Sequence, residues 1–189
     1  MIYIVCDSSF DYTSTPQSGE QLDERFLIFS CTTPSSCFAH IQLNNPESNA
    51  QITMLSIIST SYQIETNGHI DIGPHGSSTC GKLQQEIILM NSQIDSTSKP
   101  MLDVHHNQVS AGHGATIHRL SPDHLFYLTS RGLEPNQSVS LILKGKIQSL
   151  FGGQDQWSIQ GSMPGWDNKD QSMENLVDHI CYLIENQQQ

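Results

Sequence analysis

The stretch "QVSAGHGATIHRLSPDHLFYLTSRGL", residues 108–133, marks a change of pattern in a chain of 189 residues. Before it, short runs of β-branched and apolar residues alternate with turn signals such as "TPQSG", "NNPESN" and "GPHGSS". After it, apolar residues recur at helical spacing. Because no helical periodicity separates the short runs, alternating βαβ units are excluded. The pattern predicts a strand-rich part, residues 1–118, and a helical part, residues 119–189.

The strand-rich part fits two all-β architectures. One is an antiparallel sandwich or barrel, and the other is a parallel β-helix, in which short strands stack coil on coil. Turns of variable length and abundant Asn, Ser and Thr favour stacked coils, where identical polar side chains can form ladders. The one strong hairpin signal is Asn67-Gly68, between the predicted strands "YQIET" and "HIDIG". The sequence therefore favours the parallel β-helix.

Three helices are predicted in the second part. The first begins after Ser121, a good N-cap residue, has Pro122 at its first position and stops at Gly132. Its apolar contacts are expected from Leu125, Tyr127 and Leu128. The second spans residues 136–150 and the third residues 172–186. The connection "GGQDQWSIQGSMPGWDNKDQ", residues 152–171, is predicted to be irregular.

Composition excludes several classes of function. The chain has 8 basic and 19 acidic residues, a formal net charge of −11, which argues against nucleic acids and anionic membranes and favours basic partners or cations. No apolar stretch approaches the roughly 20 residues of a membrane span, so we expect a soluble, cytoplasmic protein with reduced thiols. Neither "GxSxG" nor "GxxxxGK[ST]" occurs, so no enzymatic activity is predicted and any ATP hydrolysis would come from a partner.

His113 is the residue that most needs explaining. If the strand continues unbroken, it shares a face with four apolar residues: Val109, Ala111, Ala115 and Ile117. The glycines on either side, Gly112 and Gly114, permit a bulge that would reorient the ring. A buried histidine with a satisfied polar edge is the reading that physical chemistry favours. A metal ligand or an interface contact is the alternative.

The segment "HGATIHRLSPDHLFYLTSRGL" resembles the part of SufB/SufD proteins where a β-helical core gives way to C-terminal helices. These proteins belong to the Suf iron–sulfur cluster assembly machinery. The resemblance begins near "GHIDIGPHGSSTCGKLQQEIILM" and ends at about Phe151. It implies a right-handed parallel β-helix followed by helices. It also implies pairing with a SufB-like or identical subunit, and a SufC-like ABC-type ATPase that docks on the helices.

The resemblance also assigns roles to residues. His113 corresponds to a histidine at the SufB–SufD junction, which implies a metal or interface role and a transient iron–sulfur cluster as cofactor. Four residues are predicted to contact the ATPase: Phe126, Tyr127, Arg131 and Gly132. Ala111 stands where many SufD-like proteins have a cysteine. Gly114 stands where SufB-like proteins have an acidic residue, so the chain is more similar to SufD.

Three functions follow from these expectations. The first is a non-enzymatic scaffold subunit of iron–sulfur cluster assembly. The second is a structural adaptor with the same fold and no cluster role, and the third is a stand-alone β-helix that binds sugars or cations. The five cysteines form no CxxC pair, and packing is predicted for Cys31, Cys37 and Cys181. His105 is predicted to be exposed, and His118 to have a surface or capping role.

Overall fold

The computed structural model describes residues 1–59, 62–90, 96–154, 156–166 and 172–186. Its strands are β1 (Ile2–Cys6), β2 (Ser9–Ser14), β3 (Gln21–Phe29), β4 (Ser35–Leu43), β5 (Asn49–Ile58), β6 (Ile64–Ile72), β7 (Cys80–Leu89), β8 (Ser96–Val104), β9 (Ser110–Arg119) and β10 (Trp157–Gly161). Its helices are α1 (Pro122–Ser130), α2 (Pro135–Phe151) and α3 (Met173–Asn186). β2 is a strand that the sequence did not predict.

The strands form two sheets in which the pairing is parallel throughout. The long sheet has the order β10-β1-β3-β5-β7-β9, and the short sheet has the order β2-β4-β6-β8. From β1 to β9, successive strands of the chain alternate between the sheets, so each coil contributes one strand to each sheet. The result is a β-solenoid of about 3 turns. The predicted parallel β-helix is confirmed, and the antiparallel alternative is wrong.

The Asn67-Gly68 pair does not form the hairpin turn that its sequence signal indicates. Both residues lie in the middle of β6, and "YQIET" and "HIDIG" contribute to this one strand. Gly68 faces the interior, where a Cβ atom would lie 2.5 Å from Cδ1 of Leu83. The glycine is therefore explained by close packing between the sheets rather than by a turn.

Two hydrophobic clusters stabilise the molecule. The interior cluster lies between the two sheets and contains Val5, Phe26, Ile28, Cys37, Ala39, Ile41, Leu43, Ala50, Ile52, Met54, Ile58, Ile64, Ile70, Ile72, Leu83 and Ile87. The outer cluster joins the other face of the long sheet to α2 and α3. It is centred on Ile4, Leu27 and Ile57 of the sheet with Leu143, Ile147, Val177 and Ile180 of the helices. The alternating burial of β4 and β6 follows from this arrangement.

The helices agree closely with the sequence prediction, but the connection before α3 does not. Ser121 occupies the N-cap position of α1 and Pro122 begins the helix, although the Ser121 side chain makes no capping hydrogen bond. Within the connection predicted to be irregular, β10 pairs in parallel with β1. Residues 155 and 167–171 of that connection lie outside the described ranges. None of the described helices combines the length and apolar character needed to cross a membrane.

Candidate functional site

The last coil of the solenoid exposes a layer of residues that would otherwise belong to its interior. β9 is the edge strand of the long sheet, and β8 is the edge strand of the short sheet. In the parallel register, Ala111, His113, Ala115 and Ile117 lie beside Gly81, Leu83, Gln85 and Ile87 of β7. These four β7 residues are buried, whereas all four β9 residues are exposed. Together with Pro100, Leu102 and Val104 of β8, the four β9 residues form the surface that we call the end face.

His113 lies in the middle of this end face. Its register partner Leu83 is only 1% exposed, and the two residues border a groove of about 310 Å³ that Lys82 and Gln84 also line. β9 pairs with β7 continuously from Ser110 to Arg119, without a bulge. The predicted phase of His113 is therefore confirmed. The interpretation as a buried structural histidine is wrong, because its strand ends the stack and the ring reaches solvent.

The end face is partly apolar and is bordered by two strand edges. Ile117 is 52% exposed and Val104 is 44% exposed, although both continue rows that are buried in the preceding coil. The edge strands β8 and β9 also present backbone donors and acceptors that can pair with another strand. An exposed apolar layer beside open strand edges is typical of a protein–protein contact.

Glu86 connects β9, the strand that carries four of the end-face residues, to the helical part. One carboxylate oxygen, Oε1, accepts hydrogen bonds from Nε2 of His118 in β9 and from Nζ of Lys146 in α2, each at 2.7 Å. Partial burial raises the pKa of Glu86, but the hydrogen bonds from Lys146 and His118 outweigh it and hold the pKa below its usual range. The charged carboxylate thus joins β7, β9 and α2.

We call the contacts of Glu86 with His118 and Lys146 the Glu86 bridge. The sequence analysis did not predict this bridge, and the sequence carries a signal for Glu86 alone. His118 was expected at the surface, and it is partly exposed but bonded to Glu86. The available signal was one charged residue inside the apolar strand "QEIILM". Lys146 carries no comparable signal, because a lysine on a helix is ordinarily solvated. The bridge lies beside a groove of about 500 Å³ between the long sheet and α2.

The residues predicted to contact an ATPase are accessible. Phe126 is 74% exposed and Tyr127 is 55% exposed, so the prediction that Tyr127 supplies an apolar packing contact is wrong. The Arg131 guanidinium carbon lies 4.9 Å from the centroid of the Tyr127 ring. Gly132 has φ +92°, which explains the glycine after α1. The ATPase contact itself stays a prediction.

The remaining predicted residues have ordinary positions. His105 is exposed, as predicted. Cys37 and Cys181 are buried in the interior and outer clusters respectively, which confirms their predicted packing. Cys31 is also buried in the outer cluster, as predicted, and its sulfur lies 3.6 Å from that of Cys6.

Comparison with known proteins supports the family resemblance found in the sequence. Residues 12–146 match the family model of the SUF system FeS cluster assembly SufBD core domain. The chain is 30% identical over 47% of its length to the iron–sulfur cluster assembly protein SufD of Escherichia coli (strain K12), covering 21% of that protein. It is 26% identical over 56% of its length to an iron–sulfur cluster assembly SufBD family protein of Mycobacterium tuberculosis (strain H37Rv), covering 12% of it.

A third relative gives the same result. The chain is 23% identical over 54% of its length to a SufBD family protein of Staphylococcus aureus (strain USA300) and covers 22% of that protein. The chain thus spans less than a quarter of the length of these relatives. Since the family model extends from β2 into α2 and includes the whole end face, the chain belongs to the SufBD core family.

Proposed function

We propose that this chain is a non-enzymatic scaffold subunit of iron–sulfur cluster assembly. In this proposal, the end face pairs with a SufB-like subunit or with a second copy of the chain. A SufC-like ABC-type ATPase docks on α1 and α2. The observation that carries the proposal is the exposed position of His113 in a layer that continues the buried interior.

The chemistry of the end face supports pairing. A second solenoid end placed against it would bury Ile117 and Val104 and satisfy the free edges of β8 and β9. The contact would also enclose His113, whose imidazole is a suitable ligand for iron. Ala111, on the same face two residues earlier, offers only a methyl group. The partner subunit would therefore supply the thiolate ligands that a cluster requires.

The bridge at Glu86 supports coupling between the helices and this contact. Lys146 is on α2, and His118 is on β9 five residues after His113. A displacement of α2 by a docked ATPase would pull on the Lys146–Glu86 ion pair and change the restraint on His118. The strand β9, which carries four of the end-face residues, and α2 are thus connected through Glu86 by two short charge-assisted hydrogen bonds.

Co-purification tests the ATPase contact. The tagged chain is expressed with a SufC-like ATPase, and the expected result is co-purification that is lost when Phe126 and Tyr127 are both replaced by Ala. Tyr182→Ala is the matched control, because Tyr182 is an equally exposed aromatic residue, 61%, on α3. Binding that is absent from the unmodified chain, or unchanged in the double variant, would contradict this part of the proposal.

Sedimentation tests the end-face contact. Ile117→Lys adds a charge to the proposed interface, so we expect it to abolish the association of the chain with itself or with a SufB-like subunit. Tyr182→Lys adds the same charge on α3 and is expected to have no effect. A chain that is monomeric alone and does not bind a SufB-like subunit would refute the pairing.

One observation favours a second candidate, a structural adaptor without a role in cluster chemistry. The methyl group of Ala111 leaves His113 as the one metal-binding side chain among the β9 residues of the end face. His113→Ala separates the two functions when cluster assembly in cells is measured alongside complex formation. If the chain is a scaffold for cluster assembly, the variant should form the complex but assemble clusters poorly. If cluster assembly is normal, the chain acts as an adaptor only.

A further inference from the structure

A second group of metal-binding side chains lies at the opposite end of the long sheet from β9. Cys6 is the last residue of β1, Asp7 follows it, and Cys31 comes two residues after the end of β3. The two sulfur atoms are 3.6 Å apart. They and the Asp7 carboxylate lie within 4.8 Å of one another, the one such group found among the described residues. This position is independent of His113 and of the proposed function.

The Asp7 carboxylate stabilises the turn that positions Cys31. Asp7 has a left-handed backbone, φ 50°, and its carboxylate accepts hydrogen bonds from the backbone N–H groups of Cys31, Thr32 and Thr33. Oδ2 also accepts the Thr32 hydroxyl at 2.7 Å. Oδ2 accepts the Thr32 backbone N–H as well, at 3.0 Å. Because a hydroxyl rotates freely, its bond can be given up, which leaves Oδ2 one lone pair for a different partner. The backbone bonds at Oδ1 would keep the carboxylate in place.

The spacing of the sulfur atoms matches that of two ligands on one tetrahedral metal ion. With Zn–S bonds of about 2.3 Å, the two sulfurs of a tetrahedral site lie about 3.8 Å apart. The observed 3.6 Å is close to this distance. A disulfide requires about 2.05 Å, so the sulfurs would have to approach by about 1.5 Å between two paired strands. The sulfur spacing therefore suits two ligands of one cation, and the Asp7 carboxylate, within 4.8 Å of both sulfurs, would turn towards it to supply a third.

We propose that Cys6, Cys31 and Asp7 form a binding site for a thiophilic divalent cation of the Zn²⁺ class. The thiolates supply two ligands, Oδ2 of Asp7 supplies the third, and the fourth position is open to water. Cys6 is fully buried and Cys31 is 9% exposed, so the cation would reach the site from the side of Cys31, where Thr32 and Thr33 are exposed. Each thiol releases its proton to solvent when the metal binds.

Binding would stabilise a junction of three strands. The Cys6 carbonyl accepts a hydrogen bond at 3.1 Å from the backbone N–H of Ser162, which follows β10. A bound cation would fix the end of β1, the turn after β3 and the end of β10 relative to one another.

Cobalt titration of the reduced, metal-free chain tests the proposal. We expect one Co²⁺ per chain, thiolate-to-cobalt charge-transfer absorption in the near ultraviolet, and its loss when Zn²⁺ is added. Cys6→Ser and Cys31→Ser should abolish the absorption, and Asp7→Asn should weaken binding roughly tenfold because it removes a ligand charge. Cys37→Ser is the matched control, since Cys37 is equally buried but belongs to the interior cluster. Absorption that survives in both cysteine variants would overturn the proposal.

Thiol protection tests the site without any substitution. The unmodified chain is alkylated with and without Zn²⁺, and the labelled peptides are quantified by mass spectrometry. Zn²⁺ is expected to slow the labelling of Cys6 and Cys31 at least tenfold and to leave Cys80, which is partly exposed, unchanged. Equal labelling in both conditions would overturn the proposal. So would a Cys6–Cys31 disulfide formed with diamide in a chain that binds no Co²⁺.

Discussion

β7 and β9 are neighbouring strands of one sheet, paired residue for residue, yet their surroundings differ. Leu83 and Ile87 of β7 are each 1% exposed, whereas their register partners His113 and Ile117 are open to solvent. The two strands face the same way, so the difference comes from position in the stack rather than from strand geometry. Among the described strands, β7 has a neighbouring coil on each side, whereas β9 has a neighbouring coil on one side only.

This comparison explains why the end face can serve as a contact surface. A solenoid coil buries its interior side chains only when another coil covers it, so the last coil of a stack is always incomplete. Here the uncovered layer combines an aliphatic residue, Ile117, with an imidazole, His113. The two preceding strands of the long sheet hold aliphatic residues in the row of His113, Leu83 and Ile52, and β3 before them holds Glu24.

The largest expected effect on stability comes from truncating a buried side chain of β7. Leu83→Ala leaves a cavity between the sheets and should lower the free energy of unfolding by about 2–5 kcal/mol. Ile117→Ala, on the exposed partner strand, should lower it by less than about 1 kcal/mol. Urea denaturation followed by circular dichroism measures both. Equal losses would show that the end face is covered in the isolated chain.

A second prediction compares glycines in the two parts of the solenoid. A methyl group at Gly68 would meet the Leu83 side chain at 2.5 Å, so Gly68→Ala should cost about 1–3 kcal/mol of stability through overpacking. Gly112 of β9 has no atom within 4 Å of the position of a Cβ, so Gly112→Ala should change stability by less than about 0.5 kcal/mol. Similar thermal unfolding of the two variants would contradict the packing role of Gly68.

The third prediction concerns the bridge that joins the two strands to α2. Glu86→Gln keeps the shape of the side chain but removes its charge, and should cost about 1 kcal/mol at pH 7, because the hydrogen bonds from Lys146 and His118 lose their charge assistance. Asp178→Asn is the control, since Asp178 of α3 is more exposed than Glu86 and pairs with Lys144 of α2. It should cost less than about 0.5 kcal/mol.

The pH dependence of the Glu86 effect has a definite sign. The folded chain lowers the pKa of Glu86 below the ordinary value of 4.5. The stabilisation is therefore complete above that value and is lost as the pH falls through the lower, folded pKa. The difference in unfolding free energy between the unmodified chain and Glu86→Gln should shrink as the pH is lowered from 5 towards 3. A difference that grows in acid would contradict the assignment.

The sequence predicted the solenoid because its evidence is local. Runs of β-branched residues, turns of unequal length and the Ser121-Pro122 start of α1 each fix a short segment regardless of what it contacts. The prediction of a turn at Asn67-Gly68 was wrong for the same reason, because it also used local evidence alone. A glycine required by close packing and a glycine required by a turn look alike in sequence, and only the position of Leu83 distinguishes them.

The parts of the site that the sequence did not predict depend on contacts between distant residues. The alternation of side chains along β9 correctly predicted that His113 lies on the interior side of the strand. Its exposure could not be predicted, because it arises from the position of β9 at the edge of the sheet, where no further coil covers it among the described residues. Glu86 and Lys146 are 60 residues apart in the chain, and neither residue type indicates the other. β10 was missed because it pairs with β1, at the other end of the sequence.

The smallest expected effect on stability is at His113 itself. His113→Ala removes an exposed ring from the end face, so the free energy of unfolding should change by less than about 0.5 kcal/mol, whereas the neighbouring Leu83→Ala should cost several times more. Urea denaturation of the two variants under the same conditions makes the comparison. A large loss for His113→Ala would mean that the imidazole stabilises the fold. A negligible loss would mean that the fold does not depend on this side chain, so a defect of His113→Ala in complex formation or cluster assembly could not be attributed to unfolding.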